Sequence, residues 1–173
     1  MKISKILIAF LALSLVAAGT AWAATDTNTL TINANVANQA TLTINSGSKT
    51  ATILFVDSDP DITPSISSNP ASLNVVAKAK TGSASNVTLT VTANGDLIST
   101  APTAETIAIS KVTWTASGTG FSPGAMAKNT AVPCGSWTGS GKYTGTYSYF
   151  LANSWDLPVG TFTQTATYTL TAP

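Results

Sequence analysis

Hydrophobic and polar residues alternate along most of this chain with a period of two, which in a strand sends successive side chains to opposite faces. The clearest run is Thr161 to Thr171, TFTQTATYTLT, where threonine holds the odd positions and Phe162, Gln164, Ala166, Tyr168 and Leu170 the even ones. β-Branched threonine favours extended backbone, and its hydroxyl keeps one face wet. The turn residues Leu157-Pro158-Val159-Gly160 come just before it, and a second alternating run, Tyr143 to Leu151, precedes the turn. The two runs predict a closing hairpin.

The same period recurs upstream. Thr29 to Val36 alternates with Leu30, Ile32, Ala34 and Val36 inward, and after a break at Ala37–Gln39 the pattern resumes with Ala40, Leu42 and Ile44. Ser46-Gly47-Ser48 predicts a turn into Thr50–Val56, whose two apolar faces predict a central strand covered on both sides. Asp57 to Pro70 holds Pro60, Pro64 and Pro70 and predicts irregular chain. Ser72–Ala79 and Asn86–Ala93 alternate cleanly, with Lys78 and Lys80 outward, and Asn94-Gly95-Asp96 predicts a tight turn. Between Ile107 and Ala116 the apolar phase slips by one residue near Ser110-Lys111, the mark of a β-bulge. Ser117–Gly124 and Ser136–Lys142 read as Gly-rich loops, and Ala125–Trp137 as one short strand burying Met126 or Val132. About eight or nine antiparallel strands with no helical period predict an all-β fold, a single β-sandwich with Greek-key-like connections rather than a barrel.

The start of the chain departs from this pattern. Lys2 and Lys5, the apolar run Ile6–Ala18 and the small-x-small site Ala21-Trp22-Ala23 together predict a secretory signal peptide over residues 1–23. That run is shorter than the ~20 apolar residues a membrane span needs. The expectation is therefore one exported domain over residues 24–173, secreted, at the cell surface or in the periplasm, with no membrane span after cleavage.

Charge narrows the function. Only 9% of residues are charged, against about a quarter in ordinary soluble proteins. The sequence has no Arg and no His, and without Lys2 and Lys5 six lysines face seven acids. Such a chain offers no electrostatic footprint for nucleic acid. It also lacks the acid–base residues and activated nucleophiles of most enzymes, so a non-enzymatic role is expected. Cys134 is the single cysteine, which excludes an internal disulfide. Its turn-like setting, Val132-Pro133-Cys134-Gly135, predicts an unpaired, partly exposed thiol.

Two groups carry candidate chemistry. Asp57, Asp59 and Asp61 place three carboxylates at alternate positions, as at the opening of a calcium loop. Ile62 stands where such a loop needs Gly, and Ser68 where it needs Glu, so the alternative is a solvated loop whose aspartates cap turns. Asn153, Trp155 and Asp156 form the second group, a flat ring with polar neighbours suited to stacking on a sugar face. Tyr143, Tyr147, Tyr149 and Leu151 share one strand face and read instead as core.

Leu30-Thr31-Ile32-Asn33-Ala34-Asn35-Val36 and the closing Val159-Gly160-Thr161-Phe162 resemble exported bacterial fimbrial subunits and spore-coat-U-type proteins. That resemblance implies an immunoglobulin-like β-sandwich built into surface fibres or coats, often by strand exchange between subunits. Those families usually carry a paired cysteine near the first strands, where this chain has Ala40. Trp155-Asp156-Leu157, with the ending Tyr168-Thr169-Leu170-Thr171-Ala172-Pro173, is similar to the WxL cell-wall-binding domain. The sequence thus points to a structural or surface-associated protein pairing strands with itself or with other surface proteins. The alternative is a module that binds polysaccharide or cell wall.

Overall fold

A computed structural model describes residues 29–45, 47–101 and 104–173. The predicted signal peptide lies outside the described residues. The chain divides into two units, residues 1–35 and 36–173. In the first, Thr29–Asn35 form no strand and their side chains are exposed, which corrects the inward-facing strand that alternation predicts there.

The second unit is all-β and sandwich-like, with several antiparallel sheets and, among the described residues, a three-residue 3-10 turn as its one helical element. Its strands are β1 (Gln39–Ile44), β2 (Leu54–Phe55), β3 (Ser65–Asn69), β4 (Leu73–Lys80), β5 (Asn86–Ala93), β6 (Leu97–Ser99) and β7 (Thr106–Ile107). Then follow β8 (Val112–Ser117), β9 (Gly124–Ala125), β10 (Val132–Thr138), β11 (Gly141–Ala152), β12 (Phe162–Thr163) and β13 (Ala166–Thr171). No described helix is long and apolar enough to cross a membrane.

β11, twelve residues long, is the axis of the larger sheet. At about 3.3 Å per residue it spans roughly 40 Å. Its first half pairs with β4, from Gly141↔Ala79 to Tyr147↔Leu73, and its last residues pair with β3, from Phe150↔Ser67 to Ala152↔Ser65. Its other edge carries β8, and β1 lies outside β4. The second sheet has the order β10-β5-β13, and a third small one β12-β6-β7.

Alternation decides what lies between the sheets. Leu73, Val75, Ala77 and Ala79 of β4, Val87, Leu89, Val91 and Ala93 of β5, and Tyr147, Tyr149 and Leu151 of β11 are all buried. Each valine or leucine so buried contributes about 1.5–3 kcal/mol relative to exposure. Lys78 and Lys80 occupy the opposite phase of β4 and are exposed.

Several expectations need correction. Tyr143–Leu151 and Thr161–Thr171 do not form a hairpin: β11 lies in the large sheet while β13 pairs with β5 in the other, from Ala166↔Ala93 to Thr171↔Thr88. The connection, residues 153–165, is an arch between sheets, and short-range alternation cannot tell an arch from a hairpin. The run itself breaks at Gln164, its one polar inward position: Gln164 Nε2 donates to the Asp96 carbonyl at 2.7 Å, separating β12 from β13. Thr50–Val56 is no central strand. Only Leu54–Phe55 pairs, at the sheet edge against β3, leaving Leu54 and Val56 exposed. Within the stretch read as irregular, Ser65–Asn69 forms β3 between Pro64 and Pro70, burying Ile66 and Ser68. At Asn94-Gly95-Asp96 the chain does bend, but between β5 and β6, which belong to different sheets. The phase slip is real, but a 3-10 turn at Ile109–Lys111, not a bulge, produces it.

Candidate functional site

β13 is an edge strand. Among the described residues it pairs with β5 alone. Its outward threonines Thr167, Thr169 and Thr171 are exposed as alternation predicts, yet inward Tyr168 and Leu170 are only half-buried. The reason is an open cleft of about 1640 Å³ between β13 and β1, the edge strand of the larger sheet. Leu42 and Ile44 line it from β1, Leu73 and Leu151 from the sheet behind, and Phe162 and Tyr168 from the facing wall. Ligand pockets run about 300–1,000 Å³, so this cleft exceeds one small molecule's needs. An unpaired edge beside an apolar groove is a template for another strand.

Aromatic packing fixes the floor. The Tyr149 and Tyr168 hydroxyls are hydrogen-bonded to each other, joining β11 to β13, and Tyr168 stacks on Tyr147 at 6.0 Å between centroids. Tyr147 is fully buried and donates to the Cys134 carbonyl at 2.6 Å. Burial pushes the Tyr149 phenol up to about 12, and burial likewise raises Tyr147 and Tyr168. These phenols stay neutral across physiological pH.

The loops at the Ala152 end of β11 hold the sequence-predicted residues. The three aspartates do not converge: Asp57 accepts from Ser58 N and Asp59 from Asp61 N, both at 2.9 Å, while Asp61 accepts from Trp155 Nε1 at 3.2 Å. No described group of three such side chains could hold a metal ion. They act as turn caps and a latch. Of Asn153, Trp155 and Asp156, the first is engaged within the fold. Asn153 is buried, and its Nδ2 donates to the Ser58 and Thr63 carbonyls at 2.9 and 3.0 Å, which clamps the acidic loop to the end of β11. Trp155 is 71% exposed, and Asp156 is exposed beside it.

Cys134 is fully buried within β10, not partly exposed at a turn. Its thiol donates to the Leu89 carbonyl at 3.4 Å, and burial pushes it up to about 11. Sequence reasoning missed the cleft because a groove between two edge strands depends on which sheet each strand joins. The half-buried face of β13, interrupted at Gln164, was its one local sign.

Compared with protein-family models, curated proteins and solved structures, the chain matches none of them.

Proposed function

We propose that this protein is an exported, non-enzymatic structural subunit of a surface assembly, an immunoglobulin-like β-sandwich completed by a strand from a second copy. The observation that carries this reading is the free edge of β13 beside an apolar cleft. Thr29–Val36 is the strand that fits. It alternates Leu30, Ile32, Ala34 and Val36 with threonine and asparagine, carries no charge, and leaves Leu30 and Ile32 81% and 82% exposed. Eight residues extend about 26 Å, enough to run the length of β13. Main-chain hydrogen bonds to the edge would supply affinity and the alternate side chains specificity. Its resemblance to fimbrial subunits points the same way.

The test is light scattering and native gels on the exported chain and on Leu30→Asp/Ile32→Asp. Higher-order species from the first and monomer from the second support the reading. A strictly monomeric parent at every concentration sinks it. The exposed Trp155 ring favours a second reading, a polysaccharide-binding module, which a pull-down on insoluble polysaccharides retaining nothing would remove.

A further inference from the structure

Charge in the sandwich is sorted by end. At the Gly141 end of β11 stand Lys78, Lys80 and Lys142, all exposed, with Lys142 the register partner of Lys78 and Lys80 opposite Gln39. Val36–Asn38, through which the chain enters β1, adjoin Lys80–Gly82 there. No described acid lies at this end. At the Ala152 end the clamped loops carry exposed Asp57, Asp59, Asp61 and Asp156, with Lys111 the cation beside Val112, which pairs with Leu151. Lys49 lies farther along the cleft wall. Lys128 also lies at the Ala152 end, bridged to Ala93 at the close of β5, where it is paired with Asp96. Like charges directly opposite on neighbouring strands destabilise a sheet, so Lys78 and Lys142 gain from a partner's acids. The acidic loops also expose Ile62 (80%) and Trp155 (71%), and the connection to β12 exposes Val159 (95%).

We infer that the two ends are halves of one contact: the Lys78–Lys80–Lys142 end of one copy docks on the Asp61–Trp155–Asp156 end of the next, making the assembly head-to-tail. This rests on the strand-addition reading and gives it a direction. The donor segment leaves its own sandwich at the lysine end. If it entered the next cleft from that copy's lysine end, like charges would meet and two copies would close on each other. Entering from the acidic end sets lysines against aspartates and repeats without closure.

Charge exchange tests this. Lys78→Glu/Lys80→Glu and Asp61→Lys/Asp156→Lys are each expected to raise the concentration needed for assembly by roughly tenfold or more, and an equimolar mixture to restore it. Salt is expected to weaken the parent assembly, since exposed pairs are screened. A synthetic peptide of Thr29–Val36 is expected to bind the parent and both variants alike. If the peptide fails to bind the parent, strand addition itself is wrong. If it binds but the variants assemble like the parent, the mixture stays dissociated, or the parent ignores salt, the end-to-end contact is overturned while strand addition stands. Stronger association of the lysine-reversed variant alone would overturn it in favour of closed pairs.

Discussion

The hydroxyl of Tyr149 on β11 is hydrogen-bonded to the hydroxyl of Tyr168 on β13, so the floor of the cleft is a polar bridge between the two sheets. Tyr149 is 2% exposed, which leaves water little access to its hydroxyl. Tyr168→Phe is therefore expected to strand the Tyr149 phenol and cost about 1–3 kcal/mol in urea unfolding. The double change Tyr149→Phe/Tyr168→Phe should cost less than the sum of the single ones, because it removes both halves of one pair.

The same burial makes stability fall in alkali. Burial raises the folded Tyr149 phenol to about 12 from an ordinary 10.0. A raised phenol pKa favours the folded state fully below pH 10, and this contribution is lost as pH rises from 10 to about 12, where the unfolded chain ionises first. Urea midpoints measured from pH 8 to 12 should stay level and then drop, and Tyr149→Phe should shallow the drop. A flat profile to pH 12 would contradict the assignment.

Gly145 sits where β11 passes under Phe121. A Cβ there would lie 2.5 Å from the Phe121 ring and press on the Ser117 carbonyl. Phe121 in turn packs edge-on against Trp137 and Tyr147, so it has little room to retreat. Gly145→Ala is expected to destabilise by about 1–3 kcal/mol, read as a fall in melting temperature.

Cys134 offers a clean probe of whether the sandwich is intact. Its thiol is fully buried and raised to about 11. Ellman's reagent at pH 8 should find no thiol in the folded protein and one after denaturation. Rapid reaction in the folded state would mean that β10 does not pack as described.

The alternating strands were the legible part of the sequence. β4, β5 and β11 lie where the period of two puts them, because inward and outward environments differ sharply along each, whereas β13 alternates only between exposed and half-buried positions. What the period could not reveal is which sheet each strand joins. Tyr143–Leu151 and Thr161–Thr171 looked like neighbours because a Pro-Gly turn lies between them, yet β11 and β13 face each other across the core. Asn153 was singled out for a ligand because a polar residue broke the pattern, and its structural clamp on Ser58 and Thr63 explains that break. Trp155 keeps most of its ring exposed although its Nε1 donates to Asp61. The alternation of Leu30 and Ile32 predicts a strand, yet Thr29–Asn35 form none and leave both side chains exposed.

The most direct measurement of strand addition is cross-linking between two populations of chains. One carries a cysteine at Leu30, Ile32 or Ala34; the other carries Leu170→Cys, on the inward face of β13. Disulfides form only when Cα atoms come within about 7 Å, so a bond reports adjacent strands. Mixed and mildly oxidised, one of the three positions should give a disulfide-linked heterodimer on a non-reducing gel, while its neighbours in the register give far less. Failure of all three to link, in material that light scattering shows to be assembled, would contradict the claim that a second copy completes the β13 edge.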